Sequence, residues 1–133
     1  MNDYNKKEIL KYMKSNNLNE IETYISVVTY NSNSQLIILK PFKITIKIVE
    51  FGLSFYKISD KTKKYIKAES FITNNCGEFF LNEKDCIDSF NTKLYNELCT
   101  IKIEESILNK KIKMLENSFI NTDYIMEKLL REK

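Results

Sequence analysis

Residues 82–119 read NEKDCIDSFNTKLYNELCTIKIEESILNKKIKMLENSF, and this stretch decides the fold. Neither glycine nor proline occurs after Gly77, so no residue there breaks a helix. Asn82 is a favoured N-cap, and Glu83 and Asp85 place negative charge in the first turn, where it complements the helix dipole. The stretch therefore predicts one long helix that starts near residue 83.

The predicted helix continues to at least residue 117. Two polar clusters, at residues 117–118 and 121–123, could end it and cap a final short helix over residues 122–131. The helix could also pass through both clusters. The sequence leaves open whether residues 121–133 continue the long helix or fold back.

A heptad pattern typical of coiled coils runs along this helix. One core position takes Leu98, Glu105, Ile112, Phe119 and Met126, and the other takes Leu94, Ile101, Leu108, Leu115, Thr122 and Leu129. Nine of these eleven residues are apolar, whereas the overall composition predicts about five. An ordinary amphipathic helix packed on its own sheet has a similar period, so that alternative stays open.

A second apolar line lies on roughly the opposite side of the helix, at Cys99, Ile103, Ile107 and Met114. A helix of about 35 residues is also about 50 Å long, more than a small sheet can cover. We therefore expect a homo-oligomer, for example a homodimer, that assembles through this helix. The predicted interface is Leu94, Leu98, Ile101, Glu105, Leu108, Ile112, Leu115 and Phe119. Glu105 either sets the register by pairing with a lysine or stays solvated at the edge.

The chain before this helix has strand character. Residues 3–16 predict a short helix capped by Asn2 or Asp3. Residues 21–81 predict an antiparallel β-meander of five or six strands, at 24–30, 35–40, 44–48, 53–58, 64–73 and 78–81, with a break at Pro41. The predicted fold is a single α+β domain: helix plus meander at 1–81 and a helical oligomerisation region at 82–133.

The composition excludes several kinds of chemistry. The chain has no histidine, so it cannot form a Ser-His-Asp or Cys-His relay. Cys76, Cys86 and Cys99 are spaced by 10 and 13 residues, which is not the spacing of a zinc ligand pair. The two glycines lie 25 residues apart and form no phosphate-binding loop. We expect no enzymatic activity, no metal and no cofactor.

Positive charge concentrates in the middle of the chain. Residues 40–67 hold eight lysines against Glu50 and Asp60, a net charge of +6, whereas the whole chain carries +3. The candidate anion- or partner-binding residues are Lys43, Lys47, Lys57, Lys61, Lys63, Lys64 and Lys67, with Tyr56 and Tyr65. They predict a face for a nucleic acid, a nucleotide or an acidic protein complex. The alternative is the solvated face of a sheet in a lysine-rich proteome.

Arginine occurs once, at Arg131, so base-specific recognition by the basic region is not expected. The excess of lysine, isoleucine and asparagine is typical of AT-rich genes. The chain has no apolar run of about 18 residues and no apolar signal region after its first residues. Its three unpatterned cysteines favour a reducing compartment. We expect a cytoplasmic protein without a membrane partner.

Residues 77–85 read GEFFLNEKD and lead from a predicted strand into the long helix. With the short first helix and the meander, this architecture resembles small phage or mobile-element accessory proteins of the counter-defence kind, which include anti-CRISPR inhibitors. The resemblance implies a non-enzymatic inhibitor that masks a nucleic-acid-handling complex or sequesters a signalling nucleotide. Two alternatives remain: a nucleic-acid-binding regulatory or structural protein that uses a lysine-rich sheet face, and a self-assembling scaffold.

Overall fold

A computed structural model describes residues 3–50, 52–59, 61–75, 77–120 and 128–131 of the chain. Two compact units are present, Met1–Leu94 and Tyr95–Lys133. The described elements are β1 (Asp3–Tyr4), α1 (Lys6–Ser15), β2 (Glu20–Tyr30), β3 (Leu36–Val49), β4 (Gly52–Ile58), β5 (Tyr65–Lys67), α2 (Ser70–Asn75), β6 (Phe79–Phe80) and α3 (Glu83–Ser118). The predicted α+β class is confirmed, with a short first helix, an antiparallel sheet and a long C-terminal helix.

The six strands form one antiparallel sheet in the order β1-β6-β2-β3-β4-β5. Strands β2 to β5 follow one another as a meander, as predicted. The chain then returns to the other edge, where β6 pairs with β2 and β1. The prediction of one strand over residues 64–73 is wrong, because only Tyr65–Lys67 is extended and Ser70–Asn75 is helical. The helical turn buries Ile72 in the core and leaves Asn74 and Asn75 exposed.

Pro41 does not end a strand, contrary to the prediction, because β3 runs through it. Ile25 pairs with Phe42 and Val27 pairs with Leu39, so two residues of β3 stand opposite the single residue Ser26. This is a β-bulge, where a residue without an N–H group is tolerated because the regular ladder is already interrupted.

The first helix packs on one face of the sheet. Ile9 and Met13, one turn apart, are fully buried and join Ile25, Ile44 and Ile46 in the core. Burial of each of these side chains stabilises the fold by roughly 1.5–3 kcal/mol. The helix begins one turn later than predicted, because Asn5 rather than Asn2 or Asp3 is its N-cap.

The first turns of α3 belong to the sheet unit and are anchored to it. Cys86, Ser89 and Phe90 are buried, and the Cys86 thiol hydrogen-bonds the side chain of Ser26 in β2. Glu78, just before β6, accepts hydrogen bonds from Ser89 Oγ at 3.4 Å and Lys93 Nζ at 3.2 Å. These contacts fix where the long helix starts.

The long helix has the predicted extent. Asn82 Oδ1 accepts a hydrogen bond of 2.7 Å from the Lys84 backbone N–H, which is the predicted N-cap interaction. The helix ends at Ser118, within the first polar cluster. Most of the predicted last helix at 122–131 lies outside the described residues. The part of it that is described, residues 128–131, is helical. Among the described helices, none is long and apolar enough to span a membrane.

Candidate functional surfaces

The sheet register brings five of the nine predicted binding residues onto one face. Thr45 pairs with Glu22 on one side and with Tyr56 on the other, and Tyr56 also pairs with Lys67. Residues two apart on a strand share a face. The alternate residues on either side of Glu22, Thr45, Tyr56 and Lys67 therefore lie on the same face as these four. We call the surface formed by Glu20, Glu22, Tyr24, Lys43, Lys47, Tyr56, Tyr65 and Lys67 the tyrosine–lysine face.

Two of the lysines on the tyrosine–lysine face are neutralised by glutamates of β2. Lys43 Nζ lies 3.6 Å from Glu22 Oε2, and Lys47 Nζ lies 3.7 Å from Glu20 Oε2. The pKa of the Lys43 ammonium is raised, chiefly by the charge of Glu22 and then by Tyr24. The acidic partners precede the lysines by more than twenty residues, so the local sequence gave no sign of this pairing. This part of the sheet is less basic than its lysine count indicates.

The same two ammonium groups also cover the tyrosine rings. Lys47 Nζ lies 5.0 Å from the ring centroid of Tyr56 and 5.3 Å from that of Tyr65. Lys43 Nζ lies 5.8 Å from the ring of Tyr24. These are cation–π distances. A nucleobase would have to displace a lysine before it could stack on those ring surfaces.

Lys57 does not lie on the tyrosine–lysine face. It is two residues from Phe55, which packs against the core, and its Nζ lies 3.9 Å from Glu69 Oε1. With Lys43 and the apolar side chains of Leu39, Phe42, Ile58 and Ile72, it lines an open cleft of about 430 Å³. The cleft is mostly apolar, and both of its lysines are ion-paired.

The remaining predicted lysines cluster at the turn between β4 and β5. Ser59 and Lys64 close the turn through an N–H···O bond of 2.8 Å, and Lys63 adopts a left-handed conformation with φ of 55°. Lys61, Lys63 and Lys64 are exposed, and none of them forms an ion pair with another described residue. We call these three lysines the basic turn.

Seven of the eight predicted interface residues lie along one line of α3, and the eighth, Phe119, directly follows the last residue of the helix. All residues from Ile101 to Ser118 are exposed in the single chain, and Leu94 is half-buried. The apolar members beyond Leu94 expose 44–65% of their surface: Leu98, Ile101, Leu108, Ile112, Leu115 and Phe119. We call these six, with Leu94 and Glu105, the heptad seam. On the opposite side, Ile103, Ile107 and Met114 are exposed as well.

The described residues assemble little reactive chemistry. Within them, no group of three or more Cys, Asp or Glu side chains is placed to hold a metal ion. Burial raises the pKa of the Cys86 thiol, although the hydrogen bond with Ser26 and the charge of Lys93 act in the opposite direction. A thiol with a raised pKa is a poor nucleophile.

A scan against protein-family models matched no family, and comparisons with curated proteins and with solved structures found no significant match.

Proposed function

We propose that this chain is a non-enzymatic binding protein that self-associates through the heptad seam of α3. The observation that carries the proposal is the exposure of five large apolar side chains along one line of a single helix. Apolar surface of that extent is unusual on a soluble monomer and typical of an interaction site. The spacing of 3.5 residues matches the seam of a coiled coil rather than a scattered surface pattern.

Light scattering of a Leu115→Lys variant tests this proposal. Two buried lysines replace two leucines in each dimer, so we expect the dissociation constant to rise by on the order of 100-fold or more. Met114→Lys is the matched control, because it introduces the same charge at the adjacent residue, in the second apolar line. The control is expected to keep the wild-type mass. A monomeric wild-type protein, or dissociation by the control alone, would contradict the proposal.

A second candidate function is the binding of an anionic partner at the basic turn. Its support is the contrast between Lys43, Lys47 and Lys57, which are ion-paired, and the three lysines of the turn, which have no such partner among the described residues. Such a surface suits the phosphates of a nucleic acid or nucleotide, or an acidic protein. The counter-defence role of masking or sequestration is one form of this function, and it rests on the resemblance alone.

The salt dependence of binding to a single-stranded oligonucleotide tests the second candidate. Reversing the charge of Lys61, Lys63 and Lys64 together should weaken binding and reduce the slope against log salt by about 2, because three phosphate contacts are lost. Charge reversal at Lys7, Lys11 and Lys110 changes the net charge equally and serves as the control. Equal effects of the two triple variants would mean that net charge, not the basic turn, governs binding.

A further inference from the structure

We propose that the partner of the heptad seam is a second copy of this chain whose α3 runs antiparallel to the first. This inference rests on the proposed self-association and adds its geometry. In it, Leu98 of one copy packs opposite Leu115 of the other, and Ile101 packs opposite Ile112. The dyad axis passes between two adjacent layers, in each of which Glu105 of one copy faces Leu108 of the other.

The seam is self-complementary in this orientation. Antiparallel pairing places one heptad core position opposite the other, and the residue numbers of each facing pair then have the same sum. Within α3 the facing pairs are Leu98 with Leu115, Ile101 with Ile112, and Glu105 with Leu108. The dyad repeats each pair, so all six seam residues from Leu98 to Leu115 in each copy face a seam residue of the other.

Glu105 decides between the two orientations. In a parallel, in-register dimer the two Glu105 carboxylates would face each other in the same core layer, with Glu104 of each copy beside them. Burying like charges without a counter-charge is strongly unfavourable. In the antiparallel dimer each Glu105 instead faces Leu108, and the two carboxylates lie in different layers.

The flanking charges are compatible with both orientations. Antiparallel pairing brings Glu104 of each copy beside Lys111 of the other. Parallel pairing would bring Glu97 beside Lys102 and Lys111 beside Glu116, which is twice as many attractive pairs. Ion pairs at the solvated edge of an interface contribute little, whereas a repulsive pair in the core costs much more. The core layer therefore outweighs the flanking pairs.

Disulfide trapping tests the orientation in the full-length chain. The starting protein carries Cys76→Ser and Cys99→Ser, which leaves only the buried Cys86. Two variants of it, L98C and L115C, replace exposed leucines and leave the core of the sheet unit intact. A disulfide needs Cα atoms within about 7 Å. In the antiparallel dimer, residue 98 of one copy lies next to residue 115 of the other and about 25 Å along the axis from its own equivalent.

Mixing the L98C and L115C variants before mild oxidation should therefore trap the mixed dimer. The mixture should yield at least ten times more disulfide-linked dimer than either variant yields alone. Rapid disulfide formation by L98C alone would overturn the antiparallel arrangement while leaving self-association intact. Light scattering of the reduced variants distinguishes a wrong orientation from the absence of self-association. If the reduced proteins and the starting protein are monomers, the proposed self-association itself is wrong.

Discussion

Two cysteines on the same helix, Cys86 and Cys99, differ in their burial. Cys86 is fully buried and hydrogen-bonded to Ser26, whereas Cys99 is partly exposed. A thiolate is the reactive form, so the raised pKa of Cys86 lowers its reactive fraction near neutral pH, and burial also keeps reagents away. The sequence presented both residues as equivalent unpaired cysteines, because spacing along a helix does not reveal which turn meets the sheet.

We expect iodoacetamide at pH 8 to modify Cys99 in the native protein at least ten times faster than Cys86. The reason is the combination of burial and raised pKa at Cys86. Peptide mass spectrometry at successive times measures both rates. In a denaturing concentration of urea the two rates should become similar, which provides the control. Equal rates in the native protein would show that α3 does not begin against the sheet.

Lys43 and Lys47 of the tyrosine–lysine face show a second limit at the residue scale. Their identity and their place on strands were predictable from the period-two pattern at residues 43–48. Their ion pairs with Glu20 and Glu22 were not, because a cross-strand partner is defined only by the register of β2 against β3. The candidate site consequently moves from the sheet to the basic turn.

At the scale of elements, α3 was the most predictable part because its signals are local: a cap, an acidic first turn and no helix breaker. The short elements were less predictable. Helix α2 occupies a segment with strand-forming residues, and β6 has only two residues. Such elements form where tertiary contacts bury one or two side chains, which overrides local propensity.

The N-terminus of α1 gives a test at this scale. Asn5 Oδ1 accepts a hydrogen bond of 2.8 Å from the Glu8 N–H, and Glu8 returns a bond of 3.2 Å to the Asn5 N–H. Asn5→Ala removes this capping box and should lower the free energy of unfolding by about 1 kcal/mol. Urea denaturation followed by circular dichroism measures the change.

Asn33→Ala is a suitable control for the capping test, since this exposed residue lies in the β2–β3 turn. It should change the free energy of unfolding by less than about 0.5 kcal/mol. If Asn5→Ala has no larger effect than the control, Asn5 does not cap α1 in solution.

At the scale of the whole molecule, the two units differ in how much apolar surface they bury. Met1–Leu94 holds the buried core, with α1 and α2 contributing Ile9, Met13 and Ile72 to it. In Tyr95–Lys133, the described helix has exposed side chains from Ile101 onward. An isolated helix gains little stability without a packed apolar face. A second copy of the chain would supply that packing, which makes assembly the central experimental question.

The sequence by itself determined the α+β class, the meander of β2 to β5, the extent of α3 and its heptad pattern. These features follow from hydrophobic period, capping and the absence of helix breakers, which act over a few neighbouring residues. Only the tertiary structure decided the return of β6 to the far edge, the bulge that accommodates Pro41, and which lysines are neutralised. Those outcomes depend on pairing between residues far apart in the chain, where the net energy reflects packing and register rather than local preference.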